Sequence, residues 1–209
     1  MLPRLYAILD VALTHAHGLT PQNLFDIWID AGVRLIQLRA KSMASGAMLD
    51  LADALAERAR TAGVTFIVND RADIARLSGA AGVHVGQGDL TPRDVRPLLP
   101  APALIGLSTH TTVQVTAALT QPIDYLAIGP VFTTLSKQNP DAVVGLSGVR
   151  ETAAAARERP VPVVAIGGIS LETAPDVIDA GADAVAIIGD LLRGDPAQRA
   201  RAFVSALGR

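Results

Sequence analysis

The sequence predicts an α/β fold, a (β/α)8 barrel of the TIM type built as a single domain over residues 1–209, and three observations lead there. Eight short apolar runs, rich in β-branched residues, show little alternation, the pattern of parallel strands buried on both faces. Segments of helical period separate them, many rich in alanine. Ala-Gly pairs at Ala31-Gly32, Ala62-Gly63, Ala81-Gly82 and Ala180-Gly181 each mark the end of a helix, where glycine turns the chain back without steric cost. Eight units share the chain at about 26 residues each, near the lower size limit for this barrel. An open doubly wound sheet is disfavoured, because no G-x-G-x-x-G follows the first run.

Taken in order, strand Leu5 to Leu9 leads to helix Asn23 to Ala31, and strand Arg34 to Leu38 to helix Ala47 to Ala62. Strand Thr65 to Val68 leads to Arg71 to Leu77, and Gly82 to Val85 to Pro92 to Leu98, where Pro suits a first helical turn. Strand Ala103 to Leu107 leads to Thr112 to Leu119, and Tyr125 to Ile128 to Gly148 to Arg157. Strand Val163 to Ile166 leads to Leu171 to Ala180, and Ala184 to Ile188 to Pro196 to Leu207. Aromatic residues make up only 3% of the chain. That suits a barrel interior filled by Val, Ile and Leu.

Composition narrows the function. Eighteen Lys and Arg against 20 Asp and Glu give a net charge of −2, which excludes a general nucleic-acid binder. With no Cys there is no disulfide framework, thiolate nucleophile or Cys-ligated metal. Mean hydropathy is +0.36. Yet the longest uncharged stretch, Pro97 to Ile123, carries four prolines and cannot form a spanning helix. The N-terminus lacks the regions of a signal peptide, so a cytoplasmic location without membrane association is expected.

In this fold chemistry gathers at the C-terminal ends of the strands. Those positions hold Gln37-Leu38-Arg39-Ala40-Lys41, Asn69-Asp70-Arg71, Gly86-Gln87-Gly88-Asp89, Ser108-Thr109-His110, Gly129 to Lys137, Gly167-Gly168 and Gly189. Arg39, Lys41 and Lys137 suit an oligophosphate, Arg by its fork and Lys as a point charge. Asp70 and Asp89 suit Mg²⁺, which takes one or two carboxylates and completes its shell with water and phosphate. Asn69, Ser108, Thr134 and Ser136 add neutral donors, and the glycines after strands 7 and 8 offer backbone N–H groups to a second phosphate. Each residue has a plainer role available: Asp70 as a helix cap, Asp89 as a turn residue, the lysines as solvated charges, and His84 as a satisfied core histidine. The coincidence of all these types on one rim favours a site. His15, His17 and His110 lack zinc-ligand spacing.

Seven ordered motifs, spread from Tyr6 to Ile169, resemble the thiamine phosphate synthase family. They are Tyr6 to Asp10, Gln37-Leu38-Arg39-x-Lys41, Asn69-Asp70-Arg71, Gly82 to Asp89, Ile105 to His110, Gly129 to Lys137, and Ala165 to Ile169. The resemblance implies a Mg²⁺-dependent transferase joining 4-amino-2-methyl-5-hydroxymethylpyrimidine diphosphate to 4-methyl-5-(2-hydroxyethyl)thiazole phosphate, with release of thiamine phosphate and pyrophosphate. It implies that Gln37 reads the pyrimidine, with Leu38 and Ala40 beside it. Arg39, Lys41, Asn69, Ser108 and Lys137 would hold the diphosphate, the catalytic work falling to Arg39, Lys41, Ser108 and Lys137. Asp70 and Asp89 would hold Mg²⁺, and Thr134, Leu135, Ser136, Gly168, Ile188 and Gly189 the thiazole phosphate. The expected partners are these small molecules, with no nucleic acid and no membrane; a homodimer is compatible.

The chain departs from the family at Ala40, Thr133, Ser136 and Gly189, where an acidic residue, Pro, Thr and Ser are usual. None removes an expected metal or diphosphate ligand. The alternatives are a thiazole tautomerase of the same fold, which would need an acid or base near Pro130, and a non-catalytic phosphate-binding barrel, against which intact Asp70, Asp89, Lys41 and Lys137 argue. A phosphosugar isomerase would rest on fold analogy alone.

Overall fold

The computed structural model describes residues 2–134 and 141–208. Eight parallel strands close in sequence order, and the last pairs with the first. They are β1 (Leu5–Asp10), β2 (Leu35–Arg39), β3 (Thr65–Asn69), β4 (Gly82–Val85), β5 (Leu104–Thr109), β6 (Tyr125–Ile128), β7 (Val163–Ile166) and β8 (Ala184–Ile187). Around them lie α1 (Val11–Ala16), α2 (Pro21–Asp30), α3 (Ser45–Ala62), α4 (Ala72–Ser78), α5 (Pro92–Val95), α6 (Thr112–Ala118), α7 (Gly145–Ala156), α8 (Ala174–Asp179) and α9 (Pro196–Leu207).

Three local differences from the expected elements have physical causes. Helix α1 forms where a loop is expected, because the Asp10 carboxylate accepts the Leu13 N–H at 3.0 Å and caps it. Helix α5 stops at Val95, short of Leu98, since Pro97 and Pro100 cannot continue it. Helix α8 begins at Ala174 rather than Leu171, whose N–H is held by the Asp190 carboxylate at 3.0 Å. A short 3-10 turn over Gly189–Leu192 follows β8.

Two hydrophobic layers result from strand alternation. Outward-facing strand residues such as Leu9, Ile36 and Phe66 pack with Leu24, Trp28 and Phe203 of the helices. Inward-facing residues, including Ile8, Leu35, Ile67 and Val164, fill the barrel together with Tyr6 and Tyr125. An interior of aliphatic side chains alone is therefore incorrect, since both tyrosines of the chain stand inside it.

Gly106 makes this possible. It sits in β5 between His84 of β4 and Tyr125 of β6 in register, and a Cβ there would lie 2.0 Å from the Tyr125 ring. Through that gap the His84 and Tyr125 rings stack, with centroids 5.5 Å apart and planes at 22°.

Candidate active site

The C-terminal ends of the strands surround a cavity of about 660 Å³. Alternation sends Gln37 and Arg39 of β2, Asn69 of β3, His84 of β4 and Ser108 of β5 into it, while Lys41, Asp70 and Asp89 reach it from the following loops. Thr134, Gly168, Ile188 and Gly189 line the opposite side. Leu38 and Ala40 do not join them. Their side chains are buried in the layer between strands and helices, because they alternate with Gln37 and Arg39, so only their backbone is left to meet a substrate. The expected contacts at Leu135, Ser136 and Lys137 lie outside the described residues.

Asp70 is not a helix cap. The cap of α4 is Arg71, which makes no side-chain capping bond, and Asp70 holds a left-handed backbone with φ of 64°. Such a conformation is uncommon outside glycine and concentrates at functional sites. The Asp70 N–H donates to the His84 carbonyl at 2.8 Å, and its carboxylate accepts from Lys41 Nζ at 2.5 Å. Asp89 closes the turn, its Oδ2 accepting the Gly86 N–H at 2.8 Å, and it also lines the cavity. Arg39 is held by Asp10 at the end of β1.

On the far side, the loop after β6 is stitched to β7. The Val131 and Phe132 N–H groups each donate at 2.9 Å, to Ile166 and Gly167 carbonyls. Gly168, at φ of 67°, lets this loop approach so closely that a Cβ would stand 2.5 Å from the Thr133 carbonyl oxygen. Thr134 is thereby brought to the cavity beside the β8 turn.

Beneath these groups lies a polar chain. Gln37 Nε2 donates to Tyr6 Oη at 2.7 Å, the Tyr6 and Tyr125 hydroxyls are 2.9 Å apart, Tyr125 Oη is 3.0 Å from His84 Nδ1, and His84 Nε2 is 2.8 Å from Ser108 Oγ. Burial pushes both tyrosine pKa values well above 10, so the phenols stay protonated. Tyr6 and Tyr125 are absent from the expected contact set, although Tyr6 belongs to the first motif. Inward orientation, which requires the strand register, is what reveals them.

Asp70 and Asp89 form no protein cage; no group of three or more His, Asp or Glu arranged to hold a metal occurs among the described residues. Two carboxylates on one wall instead match Mg²⁺ bound through one or two protein ligands and completed by substrate phosphate and water. No helix among the described residues is long and apolar enough to cross a membrane.

A closed parallel barrel whose strand ends present cations, two carboxylates and glycine turns around one cavity defines an anion-handling (β/α)8 enzyme. A profile of the family described as thiamine monophosphate synthase matches residues 5–191, and the chain belongs to that family. It is 44% identical to a thiamine-phosphate synthase of Koribacter versatilis, over 99% of this chain and 96% of that relative. Identity to the thiamine-phosphate synthase of Haloarcula marismortui is 40%, covering 91% and 90% of the two chains. Among solved structures, thiamine phosphate pyrophosphorylase from Pyrococcus furiosus superposes with a TM-score of 0.85 at 27% identity, covering 98% of this chain and 95% of that one. The chain is accordingly an enzyme, a transferase of the pyrophosphorylase type acting on small molecules.

Proposed function

We propose that the cavity couples 4-amino-2-methyl-5-hydroxymethylpyrimidine diphosphate to 4-methyl-5-(2-hydroxyethyl)thiazole phosphate. The observation carrying this reading is that Gln37, Arg39, Lys41, Asn69, Asp70, Asp89 and Ser108 share one wall, with Thr134, Gly168 and Gly189 across the cavity. One wall suits a diphosphate and the other a monophosphate, and on this reading the two heterocycles meet between them.

The bond that breaks joins the pyrimidine methylene carbon to the diphosphate oxygen, which leaves with the electron pair as pyrophosphate. The amino-pyrimidine delocalises the cation, and the thiazole nitrogen lone pair forms the new C–N bond. No nucleophilic side chain is needed. Arg39, Lys41, Lys137 and Ser108 neutralise charge developing on the leaving oxygen, and removal of one such contact costs about 10²–10³ in rate. Gln37 orients the pyrimidine, and the β7 and β8 turns hold the second substrate close to the cation.

Asp70 and Asp89 would hold Mg²⁺, whose contribution is charge stabilisation on the diphosphate. Lys41 then serves the anion and Asp70 the metal only if their pair parts. With Lys41 about half exposed, the pair is worth no more than about 1 kcal/mol, so substrate and cation can separate it. The reading further expects a cytoplasmic enzyme of one domain, with association into dimers tested by sedimentation.

The deciding experiment supplies both heterocycles with Mg²⁺ and follows thiamine phosphate. Product that disappears with a chelator supports the reading. Absence of product, together with isomerisation of the thiazole precursor alone, overturns it in favour of the tautomerase.

A further inference from the structure

The polar chain beneath the cavity joins its two recognition ends, Gln37 and Ser108, through three buried side chains on three other strands. Gln37 and Tyr6 are 2% and 1% exposed, Tyr125 is 1% and His84 8%, so the protons of the two phenols are placed on neighbours within the barrel. That requirement sets a direction.

The Gln37 amide nitrogen can only donate, so Tyr6 Oη accepts at 2.7 Å. The neighbouring oxygen available to the Tyr6 proton is Tyr125 Oη at 2.9 Å. Tyr125, having accepted, donates to His84 Nδ1 at 3.0 Å, which leaves that nitrogen without a proton. The imidazole proton then sits on Nε2, 2.8 Å from Ser108 Oγ, and donates to it. Ser108 thus receives its inner hydrogen bond from the histidine, and its own O–H is released toward the cavity that both residues line.

We propose that Tyr6, Tyr125 and His84 are positioning residues that act as a one-way hydrogen-bond chain, presenting the Gln37 carbonyl oxygen as an acceptor and the Ser108 hydroxyl as a donor to one substrate. The inference rests on the coupling reaction proposed above for its choice of ligand, but its direction follows from the protein alone. The two ends match the substrate's chemistry: the acceptor suits the 4-amino group of the pyrimidine, and the donor suits an anionic leaving oxygen. Run in reverse, the chain would commit the Ser108 proton to His84 and offer a lone pair to the anion. A ring of polar groups that served packing alone would need no such agreement at both ends.

The test has one arm independent of activity. In ¹⁵N-histidine-labelled protein, NMR should find His84 with its proton on Nε2 and none on Nδ1 without any substrate, and Tyr125→Phe should erase that bias while the thermal midpoint still shows a folded protein. A proton on Nδ1 overturns the proposal. In the coupling assay, Tyr125→Phe should raise the pyrimidine diphosphate KM and lower kcat about tenfold while the thiazole phosphate KM stays unchanged. Adding it to Ser108→Ala should cost much less than it costs alone, because both interrupt one chain.

His84→Gln, whose amide can donate from near the Nε2 position, should retain more turnover than His84→Asn, which reaches only the Nδ1 position. Additive losses, or Asn equalling Gln, would make the residues structural and overturn the proposal. If the parent protein forms no thiamine phosphate while NMR finds the Nε2 proton, the coupling reaction is wrong and the chain's direction stands.

Discussion

Asp70 separates backbone demand from chemistry better than any other residue of the site. Its left-handed φ of 64° is tolerated by Asn nearly as well as by Asp, whereas Ala has no polar side chain to support it. Asp70→Asn should therefore leave the thermal midpoint almost unchanged and lower Mg²⁺-dependent turnover about 10²–10³-fold. Asp70→Ala should add a stability loss of about 1–2 kcal/mol from the backbone. A large activity loss in Asn without any change in Mg²⁺ dependence would make Asp70 a partner of Lys41 alone. The sequence showed Asp70 as a candidate through its place after a strand, but left open that it only caps the helix expected over Arg71 to Leu77. Only the backbone angle and the place of Arg71 at the cap position remove the cap role. Lysine use was legible in the same limited way: of the chain's two, Lys41 and Lys137, the first falls in the loop after β2, and the second lies outside the described residues.

At the scale of elements, glycine placement connects packing to the site. Gly106→Ala would drive a methyl into the Tyr125 ring at 2.0 Å and disturb its stack with His84. A destabilisation of about 1–3 kcal/mol is expected from overpacking, read from the urea midpoint, with fluorescence of the lone Trp28 as the probe. Gly168→Ala meets both a positive φ and the Thr133 carbonyl, so it should loosen the loop after β6 and raise the thiazole phosphate KM before it affects the pyrimidine diphosphate KM. Equal changes in both would detach that loop from the monophosphate site. Strand existence was readable because strands buried on both faces are continuous apolar runs. Helix starts were less so, since the bond from Leu171 to Asp190 spans two units and leaves no local signal. The Ala-Gly pairs show the same limit. Gly32, Gly63 and Gly181 have positive φ as the helix-end reading requires, while Gly82 does not. Gly82 instead opens β4, where a Cβ would lie 2.1 Å from the Leu104 carbonyl oxygen.

For the whole molecule, two buried phenols couple the barrel interior to pH. Burial raises the Tyr6 and Tyr125 pKa values in the folded state, while the unfolded chain returns them to about 10. Their protonated state is common to both forms below about pH 10, and above it the unfolded chain releases protons that the folded one keeps. Stability should thus be insensitive to these groups below pH 10 and fall as pH rises beyond it. Tyr6→Phe should flatten that alkaline decline in urea unfolding curves, and an unchanged slope would contradict the buried placement. The barrel class was legible from eight runs and their intervening helices, because closure depends on repetition rather than on any single contact. The interior tyrosines were not, because their meeting depends on β1 and β6 facing each other across a closed sheet.

In the proposed reaction one wall of the cavity releases pyrophosphate while the other holds the monophosphate that is retained in the product. The most direct measurement is the stoichiometry of initial-rate turnover with both heterocycles and Mg²⁺. Thiamine phosphate and pyrophosphate should appear in a one-to-one ratio, with neither formed from a single substrate or in the presence of chelator. Pyrophosphate released without thiamine phosphate, or product formed equally well with chelator present, would contradict the account.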